Sequence, residues 1–348
     1  MVNVVITGAA GFLGSRLARE LLAAGSLGVA GGQARPLSRM TLVDQAPVPP
    51  DLAADERVTA VRGDLTRLLD PAAGGPDVLA IGGIGDILGE AEVVFHLAAA
   101  VSGECEADFD LGVRANLQAT EALLASCRAL GTNPVVVFSS SLAVFGGSAE
   151  LPLPQVVDDQ TRPNPQTSYG AQKAIGEQLL ADYTRKGFLR GRALRLASIS
   201  VRPGRPNAAA SGFMSGIIRE PLAGQRATCP VDPDTEVALA SPANAMAGLR
   251  CAATASDQAW GGRSAVNLPA LTASLAEMAA ALTRVAGPEV SALIDWIPDP
   301  QIARIVATWP ARVHADRAAR LGLTPDPDFD SIIRMHLAES RSGVDDGR

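Results

Sequence analysis

Tyrosine occurs at only two of the 348 positions, and lysine only at Lys173 and Lys186, in a chain whose other basic residues are all arginine. One of each falls within Ser168-Tyr169-Gly170-Ala171-Gln172-Lys173, four residues apart. On a helix this spacing sets the phenol and the ammonium on one face. A cation beside a phenol stabilises the phenolate and draws a pKa that starts near 10 toward the range of a general base. Lysine does so as a flexible point charge, which the rigid guanidinium fork of arginine does not replace. Without chemistry, the same pair is a half-buried tyrosine and a surface lysine on an amphipathic helix, so the preceding elements must show whether a site exists for it to serve.

Residues 2–7 form a β-branched run that stops at Gly8, and helical periodicity follows from Phe12 to Ala24. Between them lies Gly8-Ala9-Ala10-Gly11-Phe12-Leu13-Gly14, spaced G-x-x-G-x-x-G. Glycines there let backbone approach a pyrophosphate, and the N-terminus of the next helix, with Phe12 and Leu13, offers unpaired N–H groups. Residues 25–39 are rich in Gly, Ala and Pro and read as an extended surface loop, after which Met40–Asp44 reads as the second strand. A carboxylate at that strand end takes two ribose hydroxyls and repels a 2′-phosphate, so Asp44 favours NAD over NADP.

Val58–Arg62 reads as a third strand, followed by Asp64 and Leu65, candidates for the adenine amino group and ring; Asp64 fits a helix N-cap equally well. A helix is expected around 77–90. The fourth strand, Glu92–Ala100, runs into Leu97-Ala98-Ala99, where small residues leave room for a cofactor against backbone. His96, alone at the end of a buried strand, reads as a satisfied core residue rather than a catalyst. A helical segment over 106–130 contains Asn116, an apolar strand ends in Ser139-Ser140-Ser141, and a further strand over 194–199 contains Ser198. Strands and helices in this alternation predict an α/β fold with a doubly wound parallel sheet that binds ligands at the carboxyl ends of its strands. All the candidate ligand positions fall at such ends.

Residues 1–200 therefore read as a dinucleotide-binding Rossmann domain, with some later segments returning to it. Residues 201–340 read as mainly substrate-binding, with helices over 211–223, 272–286, 301–308 and 328–338, and 341–348 as a polar, frayed tail. A net charge of −7 and a pI near 5.1 argue against nucleic acid or a membrane surface as partner. The arginines clustered between Arg185 and Arg226 leave room for a small anion. No apolar run approaches the roughly 20 residues that span a bilayer, and no signal peptide is visible, which points to the cytoplasm. Four scattered cysteines and three scattered histidines support neither a disulfide framework nor a metal site.

Thr7-Gly8-x-x-Gly11-x-x-Gly14, Asp44, Asp64-Leu65, His96-Leu97-Ala98-Ala99, Asn116, Ser139-Ser140-Ser141 and Tyr169-x-x-x-Lys173 stand in an order that resembles the extended short-chain dehydrogenase/reductase family. The resemblance covers about residues 1–200 and implies a catalytic Ser141, Tyr169 and Lys173. Tyr169 would be the base, Lys173 would lower its pKa and hold the nicotinamide ribose, and Ser141 would hydrogen-bond the reacting oxygen. Asn116 would anchor a proton-relay water. The 25–39 segment departs from the family, as does Phe145, which stands where many members carry tyrosine and so removes a possible sugar contact.

Beyond this core, the motifs at 169–175, 201–207, 217–222 and Trp309-Pro310 resemble the D-erythronate dehydrogenase branch, which implies NAD-linked oxidation of the C2 hydroxyl of a four-carbon sugar acid. The acid's carboxylate needs a cation. Arg219 is the first candidate, with Arg202 and Arg205 competing, and Ser102, Asn207 and Ser211 complete the candidate substrate contacts. Two rival readings stand beside this one: a nucleotide-sugar 4-epimerase or dehydratase that retains its NAD, and a non-catalytic NAD-binding sensor. In relatives, helices equivalent to 106–130 and 168–185 pair across a subunit interface, which implies a homodimer.

Overall fold

The computed structural model describes residues 1–68, 87–204 and 209–341. Most of the helix expected around 77–90 lies outside these residues, as do Arg205, Asn207 and nearly all of the 341–348 tail. The strands are β1 (Val2–Thr7), β2 (Ser26–Leu27), β3 (Arg35–Asp44), β4 (Val58–Arg62), β5 (Val93–His96), β6 (Val135–Ser141) and β7 (Arg190–Leu196). They continue with β8 (Ser198–Ile199), β9 (Ala227–Cys229), β10 (Glu236–Ala240), β11 (Val266–Asn267), β12 (Leu271–Ser274) and β13 (Ile294–Trp296).

The main sheet runs β11-β7-β6-β5-β1-β3, and β3 also pairs with β4 and, at its start, with β2. Its pairings are parallel except that of β2 with β3. Side chains alternate across a strand, so Val4 and Ile6 enter one core while Val5 enters another. The first core also takes Leu17 and Leu21 of the Phe12–Ala24 helix and Leu249 of the Pro242–Thr254 helix. The second takes Leu123 and Leu124 of the Ala119–Leu130 helix and Leu180 of the Ser168–Arg185 helix. Burial on both faces is why these strands read as continuous apolar runs.

The segment expected to be a surface loop is instead largely a hairpin. Ser26 and Leu27 pair with Pro36 and Arg35, so β3 begins at Arg35 rather than Met40. The tip is held from far away in sequence: Ala30 N–H donates to the Ala253 carbonyl (3.0 Å) and Gly31 N–H to that of Thr254 (2.7 Å). The helical segment over 106–130 is likewise broken, into Ser102–Ala107, Phe109–Gly112, a π-helical turn at Val113–Gln118 and Ala119–Leu130.

After β7 the chain builds a smaller sheet, β12-β10-β8, and a β13-β9 pair. A third core, with Ile217, Ile218, Leu239, Met278, Leu282 and Ile333, lies beneath them. β11 and the Pro242–Thr254 helix return to the main sheet.

The Ser168–Arg185 helix starts where the Thr167 side chain accepts the Gly170 N–H (3.1 Å), an N-cap bond. Two glycines bring this helix onto β6 and the turn that follows it. A Cβ on Gly170 would lie 2.1 Å from the Ala143 carbonyl oxygen, and one on Gly176 would lie 2.8 Å from the Phe138 ring. Gly170→Ala should therefore lower the unfolding free energy by about 1–3 kcal/mol, as overpacking does. Urea denaturation checks this, and a native midpoint would show that the close approach is not required.

Candidate active site

A cavity of about 330 Å³ opens at the carboxyl ends of the strands. Gly8, Gly11, Phe12, Leu13 and Gly14 line it from the glycine turn, and Leu97, Ala99 and Ser198 from strand ends. Ser102, Ser141, Tyr169, Lys173 and Ser211 line it as well. The glycines leave room for a ligand by bringing backbone close to backbone. Gly8 has φ +72°, and a Cβ on it would meet Ala98 N at 2.6 Å; a Cβ on Gly14 would meet the Gly8 carbonyl oxygen at 2.1 Å. Ala98 itself packs behind this contact, donating its N–H to Thr7 Oγ1 (3.3 Å), and does not line the cavity.

Ser141 and Tyr169 both line the cavity, and the Ser141 hydroxyl is near enough to pull on the phenol. Burial pushes the phenol up to about 12, against the opposing pulls of the Ser141 hydrogen bond and the Arg202 charge. This corrects the simple expectation that Lys173 draws the phenol down. The lysine is aimed elsewhere: its Nζ donates to the Ser139 carbonyl (2.8 Å), lies 4.8 Å from the Phe138 ring centroid and 5.6 Å from that of Tyr169. Burial lowers its own pKa from 10.5 to about 8, partly offset by Cys105 and then by the carboxylate of Glu177.

The neighbouring polar groups are held by the protein. Ser139 Oγ donates to the His96 carbonyl (3.1 Å) and Ser140 Oγ to Glu177 Oε1 (2.5 Å). The His96 ring spans Thr7 Oγ1 (2.7 Å) and Thr120 Oγ1 (2.9 Å), and burial drives its pKa down to about 3, so it stays neutral in the core. Asn116, on the π-helical turn, accepts the Ala100 N–H (2.8 Å) and donates to the Ala100 carbonyl (3.1 Å) and to Gln172 Oε1 (2.8 Å). It thus joins the wall after β5 to the Tyr169 helix without lining the cavity.

Asp44 ends β3 beside the glycine turn: Oδ2 accepts the Ala10 N–H (2.9 Å) and Oδ1 the Ala46 N–H (2.9 Å). Each oxygen keeps a second lone pair for a ligand hydroxyl. Asp64 Oδ1 accepts from Thr66 N (2.9 Å) and Thr66 Oγ1 (2.6 Å), the turn-capping arrangement, and Leu65 is buried in the second core. Asp44, Asp64 and Leu65 all lie outside the cavity lining.

On the substrate side the structure separates the arginines. Arg219 is engaged elsewhere, by Glu220 Oε1 (2.6 Å) and the Arg202 carbonyl (2.7 Å), and it does not line the cavity. Arg202 does, with one amino group 3.3 Å from Ser211 Oγ; burial and the nearby Arg219 lower its pKa. Ser102 Oγ accepts the Ala210 N–H (3.1 Å), tying two walls of the cavity together. Val101, Met214, Val306, Trp309 and Pro310 also line it, and among these the Trp309-Pro310 motif carried the only signal in the sequence. Phe145 is buried and is not among the cavity-lining residues, and the Arg195 guanidinium lies over its ring, 4.7 Å from the centroid. Among the described residues, no cluster of three metal-ligating side chains occurs, and no helix is long and apolar enough to cross a membrane.

Residues 4–239 match the NAD dependent epimerase/dehydratase family. The chain belongs to this family. Within it, the chain is 50% identical to the D-erythronate dehydrogenase of Cupriavidus necator over 339 residues, covering 97% of this chain and 99% of that protein. It is 38% identical to the D-erythronate dehydrogenase of Haemophilus influenzae, again over 97% of this chain and 99% of the relative. Among solved structures, the nucleoside-diphosphate-sugar epimerase from Agrobacterium tumefaciens superposes with a TM-score of 0.84 at 40% identity, covering 98% of this chain and 95% of that one. In this epimerase/dehydratase-family chain the buried lysine has a pH signature of its own.

Below pH 8 Lys173 is charged both folded and unfolded, so its burial penalty is fully present; between about 8 and 10.5 the folded chain sheds the proton first and stability rises. Lys173→Met should therefore be more stable than the native chain at pH 7, by on the order of 1–3 kcal/mol, with the gap closing by pH 10.5. Urea unfolding at the two pH values measures it, and a gap that does not change with pH would mean that the ammonium is not buried as described.

Proposed function

We propose that this chain is an NAD-dependent dehydrogenase that oxidises the C2 hydroxyl of a small sugar acid, D-erythronate, to the 2-oxo acid. The observation that carries the reading is that one cavity holds both the Ser141–Tyr169 hydroxyl pair and Arg202. Similarity to D-erythronate dehydrogenases over almost the whole chain supports the substrate.

The turn at Gly8 and Gly14 fits a dinucleotide, since a side chain at either position would strike the neighbouring backbone and force apart the tight turn that lines the cavity. Asp44 would take the adenosine ribose hydroxyls and favour NAD over NADP, with Asp64 and Leu65 toward the adenine. Leu97, Ala98, Ala99 and Ser198 would lie along the rest of the cofactor. Held there, NAD would supply the acceptor for the hydride from C2. Tyr169, acting as its phenolate after giving up its own proton, accepts the proton of the C2 hydroxyl, and Ser141 donates a hydrogen bond to that oxygen. Lys173 would hold the nicotinamide ribose, its ammonium already anchored by its bond to the Ser139 carbonyl. Asn116 positions the Ala100 wall, because its amide is already taken up by protein partners.

Arg202 replaces Arg219 as the group that holds the carboxylate, with Ser102 and Ser211 beside it and Asn207 nearby in sequence. A guanidinium removed from water and facing a cavity favours an anionic ligand, and its fork matches a carboxylate. A homodimer would use the helices at 102–130 and 168–185, on which Phe109 is 63% and Ile175 44% exposed.

The second reading, a nucleotide-sugar epimerase that retains NAD, is favoured by the Agrobacterium tumefaciens structure. Absorbance of NADH, followed with NAD and D-erythronate, L-threonate, D-threonate or a UDP-hexose, separates the two. NADH should accumulate with D-erythronate; interconversion of the UDP-hexose without NADH would sink the dehydrogenase reading. Arg202→Met should raise KM for the acid about tenfold to a hundredfold, the worth of a charged hydrogen bond, and leave the Kd for NAD unchanged. An unchanged KM would remove Arg202 from the carboxylate site.

A further inference from the structure

Glu177 and Arg195 are charged and almost wholly enclosed, with side chains 3% and 6% exposed. Arg195 Nε donates to Glu177 Oε1 (2.8 Å) and its Nη2 to Oε2 (2.7 Å), a two-pronged pair between β7 and the Ser168–Arg185 helix. Glu177 Oε1 accepts a third bond from Ser140 Oγ (2.5 Å), so one carboxylate ties together that helix, β6 and β7. The face of Arg195 rests on Phe145, and its Nη1 reaches Asn267 Oδ1 on β11 (3.4 Å).

We propose that Glu177 and Arg195 are a positioning pair for the Ser141–Tyr169–Lys173 site, acting on it through Ser140. Replacing a buried ion pair with apolar residues is often neutral or stabilising, so stability alone does not account for this one; holding a register is the best-attested use. Here the register is that of the Tyr169 helix against the end of β6. Ser140 lies between Ser139, whose carbonyl takes the Lys173 bond, and Ser141, whose hydroxyl meets Tyr169. Side chains alternate along a strand, so pinning Ser140 to the helix sets the rotation with which its two neighbours are presented.

The carboxylate has a second effect on Lys173. The groups facing the ammonium are Tyr169 and Glu177 on its own helix, Cys105 from the Ser102–Ala107 helix, His96 from β5, and the Ser139 carbonyl and Phe138 ring from β6. Glu177 is the carboxylate among them, and it stabilises the ammonium against the effect of burial. Removing its charge lets Lys173 lose its proton at a lower pH.

The proposal rests on Ser141, Tyr169 and Lys173 being the reacting groups, and the variants are chosen to separate the two ideas. Glu177→Gln should move the alkaline fall of kcat/KM for D-erythronate to lower pH by about one unit, the scale of a neighbouring opposite charge. Ser140→Ala keeps the ion pair and breaks only its link to β6. It should lose about tenfold in kcat, a modest fraction of what a misplaced reacting group costs, while the KM for D-erythronate, set by Arg202, stays near native. A native kcat in Ser140→Ala overturns the proposal, and so does a Glu177→Gln profile that superimposes on the native one. If Glu177→Gln fails to fold, Ser140→Ala decides alone. Tyr169→Phe is measured alongside: turnover that survives in it would discredit the reading of the site itself rather than the positioning pair.

Discussion

Lys173 has 2% of its surface exposed, so its ammonium must find its solvation inside the protein, and the Ser139 carbonyl at 2.8 Å supplies the direct bond. Much of the site follows from that requirement. The carbonyl belongs to the end of β6, so the helix carrying Lys173 has to lie hard against that strand. Gly170 and Gly176 allow it, because a side chain at either would strike the Ala143 carbonyl or the Phe138 ring. Once the helix is that close, Tyr169, one turn before Lys173, meets Ser141 two residues beyond Ser139. The hydroxyl pair and the ammonium are thus consequences of one docking event rather than three separate placements.

The same burial sets the electrostatics. It raises Tyr169 to about 12 and lowers Lys173 to about 8, opposite shifts from one cause, since each disfavours the charged form. Arg202 is the cation that pulls Tyr169 back down, and it comes from the other part of the molecule, just after β8. The cavity is therefore lined from different layers. The main sheet supplies the glycine turn and the Ser141 and Tyr169 hydroxyls, while the small sheet and the segments around it supply Arg202 and further cavity walls. Arg219, similar in type and nearby in sequence, is neutralised by Glu220 and spends a donor on the Arg202 backbone, so it shapes the neighbour rather than the ligand.

What could be read from the chain was what local pattern controls. The β-branched run at 2–7, the glycines at 8, 11 and 14, the acid closing β3 and the serines closing β6 are short-range features, and in a parallel sheet their order along the chain places them at one edge. His96 was legible as a core residue for a similar reason, since a lone imidazole at a buried strand end needs only two hydroxyl neighbours, and Thr7 and Thr120 provide them. The hairpin at 26–36 was not legible. Its backbone bonds run to Ala253 and Thr254, some two hundred positions away, and Gly-rich composition hides strand alternation.

The sequence by itself determined the sheet, the glycine turn and the spacing that carries Ser141, Tyr169 and Lys173 to one cavity, because spacing on a helix or at a strand end is a property of the local chain. Only the tertiary structure decided which charged groups face the cavity. That Arg202 faces the cavity and Arg219 does not, that Phe145 supports Arg195 instead of a ligand, and that Tyr169 is raised rather than lowered all depend on burial and on partners distant in sequence. Electrostatic energy depends on distance and on exclusion of water, and neither is written in residue order.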